Sequence, residues 1–334
     1  MVPKEYYGRL FTKEQLPVDY HSEAFTLESM IKVDKQLRCK RCYSQIEEDW
    51  QLPEGQYYCR ACIVFGRNQE GKELYYFPSK TSEIEFPALK WLGELTPYQA
   101  EVSEKLLKTY QKQKDSLVHA VTGAGKTEMI YKIVAYVLEN KGRVAIASPR
   151  VDVCRELFLR MQRDFTCSIS LLHAESEPYD GSPIVIATTH QLLKFYQNFD
   201  LVIVDEVDAF PFVGNVMLNH AVEQAKKETG RYIYLTATST LSLEEQVRLG
   251  SLEKHHLARR FHGNPLVLPK FCWQGRLQKS LMRGKLPRPL LYQIKKQRKS
   301  KFPLLIFFPN IAIGEKFTSI LQKYLPDEKM AFVS

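Results

Sequence analysis

The chain has 334 residues, 44% hydrophobic and 25% charged, ordinary for a soluble protein with length for two or three domains and ample core. No apolar run approaches the ~18 residues of a membrane span, and the opening MVPKEYYGRLFTKEQ lacks the apolar centre of a signal peptide, so cytoplasmic residence is expected. A balance of 47 Lys and Arg against 38 Asp and Glu, net +9, favours a polyanionic partner, nucleic acid before membrane.

Residues 1–35 form an N-terminal segment, polar and aromatic, with no clear period. Residues 36–70 hold CKRC (Cys39, Cys42) and, sixteen residues later, CRAC (Cys59, Cys62). Two C-x-x-C knuckles match four thiolates around tetrahedral Zn²⁺, a closed and therefore structural site in a module that depends on metal to fold. Between the knuckles, QLPEG turns and QYYC returns as a hairpin. Arg38, Lys40, Arg41, Arg60 and Arg67 surround the knuckles, interleaved with Tyr43, Trp50, Tyr57, Tyr58 and Phe65. Such a surface suits nucleic acid, through Arg41 and Arg60 in particular, or docks another protein. Cys154, Cys167 and Cys272 read as core residues.

From residue 84 to 255 the texture becomes α/β. A helix is expected at 97–112, a strand at 117–121, a helix at 126–139, a strand at 143–148, a helix at 151–163, and strands at 184–188, 201–205 and 231–236. Near-continuous Val, Ile and Leu strands between amphipathic helices predict a parallel sheet covered on both faces. VHAVTGAGKTEMI, residues 118–130, runs from strand to helix through a phosphate-binding loop. Gly123 and Gly125 permit positive φ, and the amides from Thr122 through Ala124 to Thr127 turn inward on an anion. Lys126 reaches the β- and γ-phosphates of ATP and Thr127 holds Mg²⁺. Ala120 stands where the usual pattern has its first glycine.

LVIVDEVDAF supplies the second half. A carboxylate ending a nearby strand reaches the ion beside the loop, so Asp205 is the Mg²⁺ partner and Glu206 the base for the attacking water. YLTATST puts Thr236 and Thr238 at the next strand end, within reach of Asp208. In LTPYQAE, the Gln99 amide can read both the donor and the acceptor of adenine.

Residues 256–300 form a linker and basic helix. Residues 256–285 are irregular, and 283–301 carry eight Lys or Arg and no acid. Leu290, Leu291 and Ile294 give that helix one apolar face; its charged side is solvated or tracks DNA. At 301–334 another α/β unit opens, with a strand at 303–308, a helix at 311–325, and a strand beginning at KMAFVS.

Gln99, A-x-T-G-x-G-K-T, D-E-x-D and T-A-T, in that order, resemble superfamily 2 helicases and translocases. GKTEMIY with an N-terminal four-cysteine module resembles the ComFA family, late-competence DNA-uptake ATPases. The resemblance implies a RecA-like P-loop lobe at 84–255 and the beginning of a second RecA-like lobe at 301–334, preceded by a small zinc-ribbon-like module. It implies that Pro149 and Arg150 in SPRVDVCREL, and Thr188, Thr189 and His190 in ATTHQLLKF, sit near the DNA backbone. The implied activity is an ATP-dependent single-stranded-DNA translocase importing transforming DNA at the inner face of the membrane. Implied partners are a ComFC-like phosphoribosyltransferase-fold protein and the DNA-uptake channel; a homo-oligomer is compatible. The alternatives are a superfamily 2 DNA helicase of replication restart or repair, and a non-catalytic ATP- and nucleic-acid-binding module. The family's late arginine motif is absent, so these 334 residues, a fragment or a shortened variant, are expected to bind ATP and hydrolyse it poorly.

Overall fold

The computed structural model describes residues 2–263, 269–273, 275, 277–300 and 302–333. It divides into two compact units, Met1–Pro265 and Leu266–Ser334.

The first unit begins with five short strands: β1 (Leu10–Thr12), β2 (Phe25–Glu28), β3 (Met30–Val33), β4 (Gln36–Cys39) and β5 (Glu73–Tyr76). β5 lies between β1 and β2, antiparallel to both, so the chain on either side of the cysteines closes on itself. β3 and β4 form a separate hairpin that delivers Cys39. The expected hairpin between the knuckles is present as a tight turn, Leu52 N–H donating to Gln56 O at 2.8 Å, with Gln51 bridged to Tyr57.

The larger part of the unit runs α1 (Pro97–Gln111), β6 (Asp115–Ala120), α2 (Lys126–Met129), α3 (Tyr131–Glu139), β7 (Val144–Ser148) and α4 (Val151–Asp164). It continues with β8 (Ile169–Leu172), β9 (Ile184–Thr188), β10 (Phe199–Val204), α5 (Val216–Ala225), β11 (Lys226–Thr236), α6 (Leu241–Arg248) and β12 (Leu252–Leu257). The seven strands form one parallel sheet, ordered β12-β6-β11-β10-β7-β9-β8. This is the α/β, RecA-like P-loop architecture. Successive residues of a strand point to opposite faces, which explains the unbroken apolar runs. Val144, Ile146, Leu201 and Ile203 pack under α3 and α4, while Ala145, Ala147, Val202 and Val204 pack under α5. The helix expected over 126–139 is interrupted at Ile130, where φ −87° and ψ −9° end α2.

The second unit contains α7 (Leu277–Met282), α8 (Arg288–Arg298) and α9 (Ile311–Tyr324). Leu281, Leu286, Ile294, Phe317, Ile320 and Leu321 make its core, and the apolar face of α8 enters it through Leu290, Leu291 and Ile294. The strands expected at 303–308 and in KMAFVS do not form among the described residues. A strand needs a partner for its N–H and C=O groups, and the described residues of this unit supply none. Cys272 is exposed in the irregular stretch, not in a core.

Candidate functional site

Thr96 caps α1, and Gln99 closes the capping box by accepting from Thr96 N–H at 2.9 Å. The Gln99 carbonyl oxygen also accepts from Thr96 Oγ1 at 2.9 Å, and its amide donates to Ala124 O at 2.9 Å. The side chain is 4% exposed, so its first role is to tie α1 to the glycine loop. Reading a base requires it to share or exchange these partners. Gly125, at φ +74°, is pressed against the same amide: a Cβ there would lie 2.3 Å from Gln99 Nε2. Gly123, at φ +80°, gives the second left-handed turn of a loop in which Thr122 is exposed and Ala124 buried. Lys126 and Thr127 open α2.

One strand, β11, lies between the loop's strand β6 and the acidic strand β10. All three are parallel, so their carboxyl ends meet at one edge. Asp205 follows β10, its N–H donating to Ala147 O at 2.8 Å. Burial raises its carboxyl above the usual range, opposed by the Lys126 charge and by Glu206 N–H donating to Asp205 Oδ1 at 2.9 Å. Glu206 adopts φ +55°, a left-handed conformation uncommon for a non-glycine residue and concentrated at functional sites. Its Oε2 is buried without a hydrogen bond among the described residues. Asp208 accepts a short hydrogen bond from Thr238 Oγ1. Burial alone would raise Asp208, but Thr238 and Thr236 outweigh it, and Lys126 adds to the lowering. Thr236 is buried and accepts from Thr238 N–H at 3.0 Å. Lys126, Asp205 and Asp208 therefore share one electrostatic neighbourhood suited to a metal–triphosphate. Glu206 offers an unsatisfied acceptor beside it.

The four cysteine sulfurs lie within 4.8 Å of one another, with Cys39–Cys62 at 3.6 Å and Cys42–Cys59 at 3.5 Å. Disulfide sulfurs sit about 2.0 Å apart. Ligands of a tetrahedral ion with bonds of about 2.3 Å sit about 3.8 Å apart, so the cysteines fit a metal. All four are 0% exposed. Hydrogen bonds from Cys42, Cys59 and Cys62, with one from Asn68 Nδ2 at 3.1 Å, hold the Cys39 thiol well below its usual range.

The DEAD/DEAH box helicase family model matches residues 96–246. The competence protein ComFA of Streptococcus pneumoniae (strain ATCC BAA-255 / R6) is 54% identical over 333 residues, covering 99% of this chain and 76% of that protein. The chain belongs to the ComFA family. The Bacillus subtilis (strain 168) ComFA is 33% identical over 315 residues, 92% of this chain and 68% of its own. Among solved structures, the Pyrococcus furiosus Hef helicase domain is 18% identical, with a TM-score of 0.40, over 68% of this chain and 53% of that one. This ComFA-family chain is a helicase-like competence protein whose helicase domain implies ATP and Mg²⁺. No helix among the described residues is long and apolar enough to cross a membrane.

The residues assigned to nucleic acid divide. Pro149 and Arg150 lie on the loop from β7 to α4, and Thr188 ends β9 with Thr189 and His190 following it, at the sheet edge that carries the loop and Asp205. Arg150 is half-exposed and pairs with Asp152. Thr189 is 0% exposed and its hydroxyl is buried, out of reach of a docking strand, contrary to expectation, while Thr188 keeps 8% exposure. His190 is half-buried. Arg41 is also corrected: it is fully buried, donating from Nη1 to Phe65 O and Gly66 O, both at 2.8 Å. Its charge satisfies the carbonyls of the turn after Cys62. Arg60 is exposed but held by Asp49 at 3.2 Å. Trp50, Tyr57 and Phe65 pack on the core, and Tyr43 stacks on His220, so most of the knuckle aromatics serve packing.

One neighbour of the loop escaped the sequence reading. After β12 the chain returns to the glycines: Phe261 N–H donates to Gly123 O at 3.0 Å, bringing Arg260 beside Gly123, while Arg259 lies over the Tyr98 ring at 4.8 Å. The paired arginines were the only signal, and nothing local says that β12 folds back against β6.

The raised Asp205 pKa carries a stability consequence. The fold holds this proton more tightly than the unfolded chain, so the ionised form costs stability. That cost is absent below the ordinary value of 3.8 and complete once pH has risen through the folded value. Asp205→Asn should therefore raise Tm at pH 7, with the gain shrinking as pH falls towards 4. Mg²⁺-dependent ATP turnover should be lost. Thermal melts at both pH values, with turnover on the same samples, check it.

Proposed function

We propose that this ComFA-family chain is the motor of an ATP-dependent single-stranded-DNA translocase that draws transforming DNA into the cytoplasm at the inner face of the membrane. In this reading the amides from Thr122 to Thr127 and the Lys126 ammonium hold the triphosphate. Thr127 and Asp205 hold Mg²⁺, which neutralises charge on the phosphates. Glu206 orients the attacking water and accepts its proton, and Asp208, fixed by Thr238, ties the acidic turn to β11. Gln99 keeps the loop in register with α1 and contacts the base. Cys39, Cys42, Cys59 and Cys62 hold a structural Zn²⁺. Residues 84–255 are the first motor lobe and residues 301–334 belong to a second. Pro149, Arg150 and His190 line the strand path. A ComFC-like phosphoribosyltransferase-fold protein and the membrane DNA-uptake channel are its partners.

The observation that supports this most directly is electrostatic. The charge of Lys126, delivered by β6, acts on both Asp205 and Asp208, delivered by β10. The test is ATP turnover on a form extended to the length of its relatives, with single-stranded DNA, duplex DNA and RNA. Single-stranded DNA should raise turnover by about tenfold, more than either other polymer. Equal rates with and without nucleic acid would sink the reading.

A further inference from the structure

Glu206 is the group asked to take the proton of the attacking water, and its surroundings are unusual. Its Oε2 is buried and accepts no hydrogen bond among the described residues. The cation facing that oxygen is Arg150, with Nη1 at 3.9 Å. Arg150 gives its better hydrogen bonds to Asp152 instead, from Nε to Oδ1 at 3.2 Å and from Nη2 to Oδ2 at 2.5 Å. Its backbone is anchored where β7 gives way to α4, Arg150 N–H pointing at Ser148 Oγ at 3.4 Å. The guanidinium therefore stands between two carboxylates. One is Asp152, whose side chain is 67% exposed; the other is Glu206, at 33%.

We propose that Arg150 is a positioning residue that restrains Glu206 until a nucleic-acid phosphate takes its guanidinium. This rests on the reading of the chain as a nucleic-acid-dependent ATPase. With no strand bound, the guanidinium stands beside Oε2, with Nη1 at 3.9 Å. It draws the carboxylate towards the β7–α4 loop and away from the water it must meet. The pair is partly solvated and long, so its hold is weak and reversible. A phosphodiester offers a guanidinium two oxygens in the forked geometry that Asp152 now supplies. It reaches Arg150 from solvent, since that side chain is 54% exposed. Binding the phosphate turns the guanidinium outward, frees Oε2 to accept from water, and raises turnover. Strand binding and hydrolysis are thereby coupled through one side chain.

The experiment uses the full-length protein with poly-dT as the probe, and separates kcat from KM for ATP. Arg150→Ala should raise kcat without poly-dT by about threefold to fivefold, the size expected of a partly exposed ion pair. KM for ATP should not change, and poly-dT should add little. Asp152→Asn should act oppositely: the released guanidinium turns wholly to Glu206, and the rate without poly-dT falls. Both positions are on the surface, and melts verify folding. If Arg150→Ala leaves the unstimulated kcat at the wild-type value or lowers it, and only raises the poly-dT concentration needed for half-stimulation, Arg150 is a strand contact and the restraint does not exist. If the unsubstituted protein shows no turnover with any nucleic acid, the ATPase reading itself falls and takes this proposal with it, an outcome distinct from the last.

Discussion

Replacing Glu206 by Gln is expected to lower nucleic-acid-stimulated ATP turnover by about 10²–10⁴-fold, the usual contribution of a positioned general base. Mg²⁺–ATP should still bind within about threefold of the unsubstituted affinity. The substitution keeps the shape of the side chain and the left-handed turn at φ +55°. It removes the acceptor that Oε2 now presents unsatisfied. Lys126→Ala should differ in kind: it removes the charge that opposes the raising of Asp205 and helps to lower Asp208, so binding should weaken along with the rate. Equilibrium binding of a fluorescent ATP analogue beside steady-state turnover distinguishes the two. A Glu206→Gln protein that kept more than about a tenth of its turnover would mean that the proton goes elsewhere, Asp208 being the next carboxylate on the turn.

Some of this site was legible in the sequence because its parts are local. Gly123 and Gly125 stand just before Lys126-Thr127 at the end of an apolar strand, so both left-handed positions of the loop lie within three residues and are visible as a motif. Asp205 after LVIV is likewise a strand-end carboxylate, and C-x-x-C twice is four sulfurs at two short spacings. What was hidden depends on burial, which spacing does not reveal. Arg41 sits between two cysteines in a basic run, yet its guanidinium is needed inside, by the carbonyls of Phe65 and Gly66. Thr189 opens a 3-10 turn tucked against α5 and is sealed from solvent. β12, LEKHHL, has no apolar alternation because it is an edge strand, and His255 and Glu253 face Thr109 of α1. PLLIFF has every strand propensity but finds no ladder, and propensity cannot supply one. The left-handed Glu206 has no sequence signature at all.

Loss of the metal from the four cysteines should unfold more than the knuckles. One Zn²⁺ per chain is expected. Chelation, or Cys39→Ser, should lower Tm by about 10 °C, since a module this small depends on its metal for folding and a few kcal/mol shifts a domain of this size by that much. The wider effect follows from where the module leans. His220 on α5 hydrogen-bonds through Nε2 with Lys40 O at 3.1 Å, and its ring stacks on Tyr43 at 5.1 Å between centroids. The cysteines share one apolar core with Leu218, Ala221 and Val222 of α5. That helix also covers Val202 and Val204, the strand that delivers Asp205. Stripping the ion leaves four buried thiols without a partner able to hold two knuckles together, and α5 loses one wall of its packing. Hydrogen exchange should then accelerate in Val216–Ala225, while α4, which packs on the other face of the sheet, keeps its protection. Unchanged exchange in α5 after metal loss would mean that the module hangs from the motor without bracing it. Faster exchange that spreads to β10, with weaker ATP binding, would show that the metal holds the acidic turn in place.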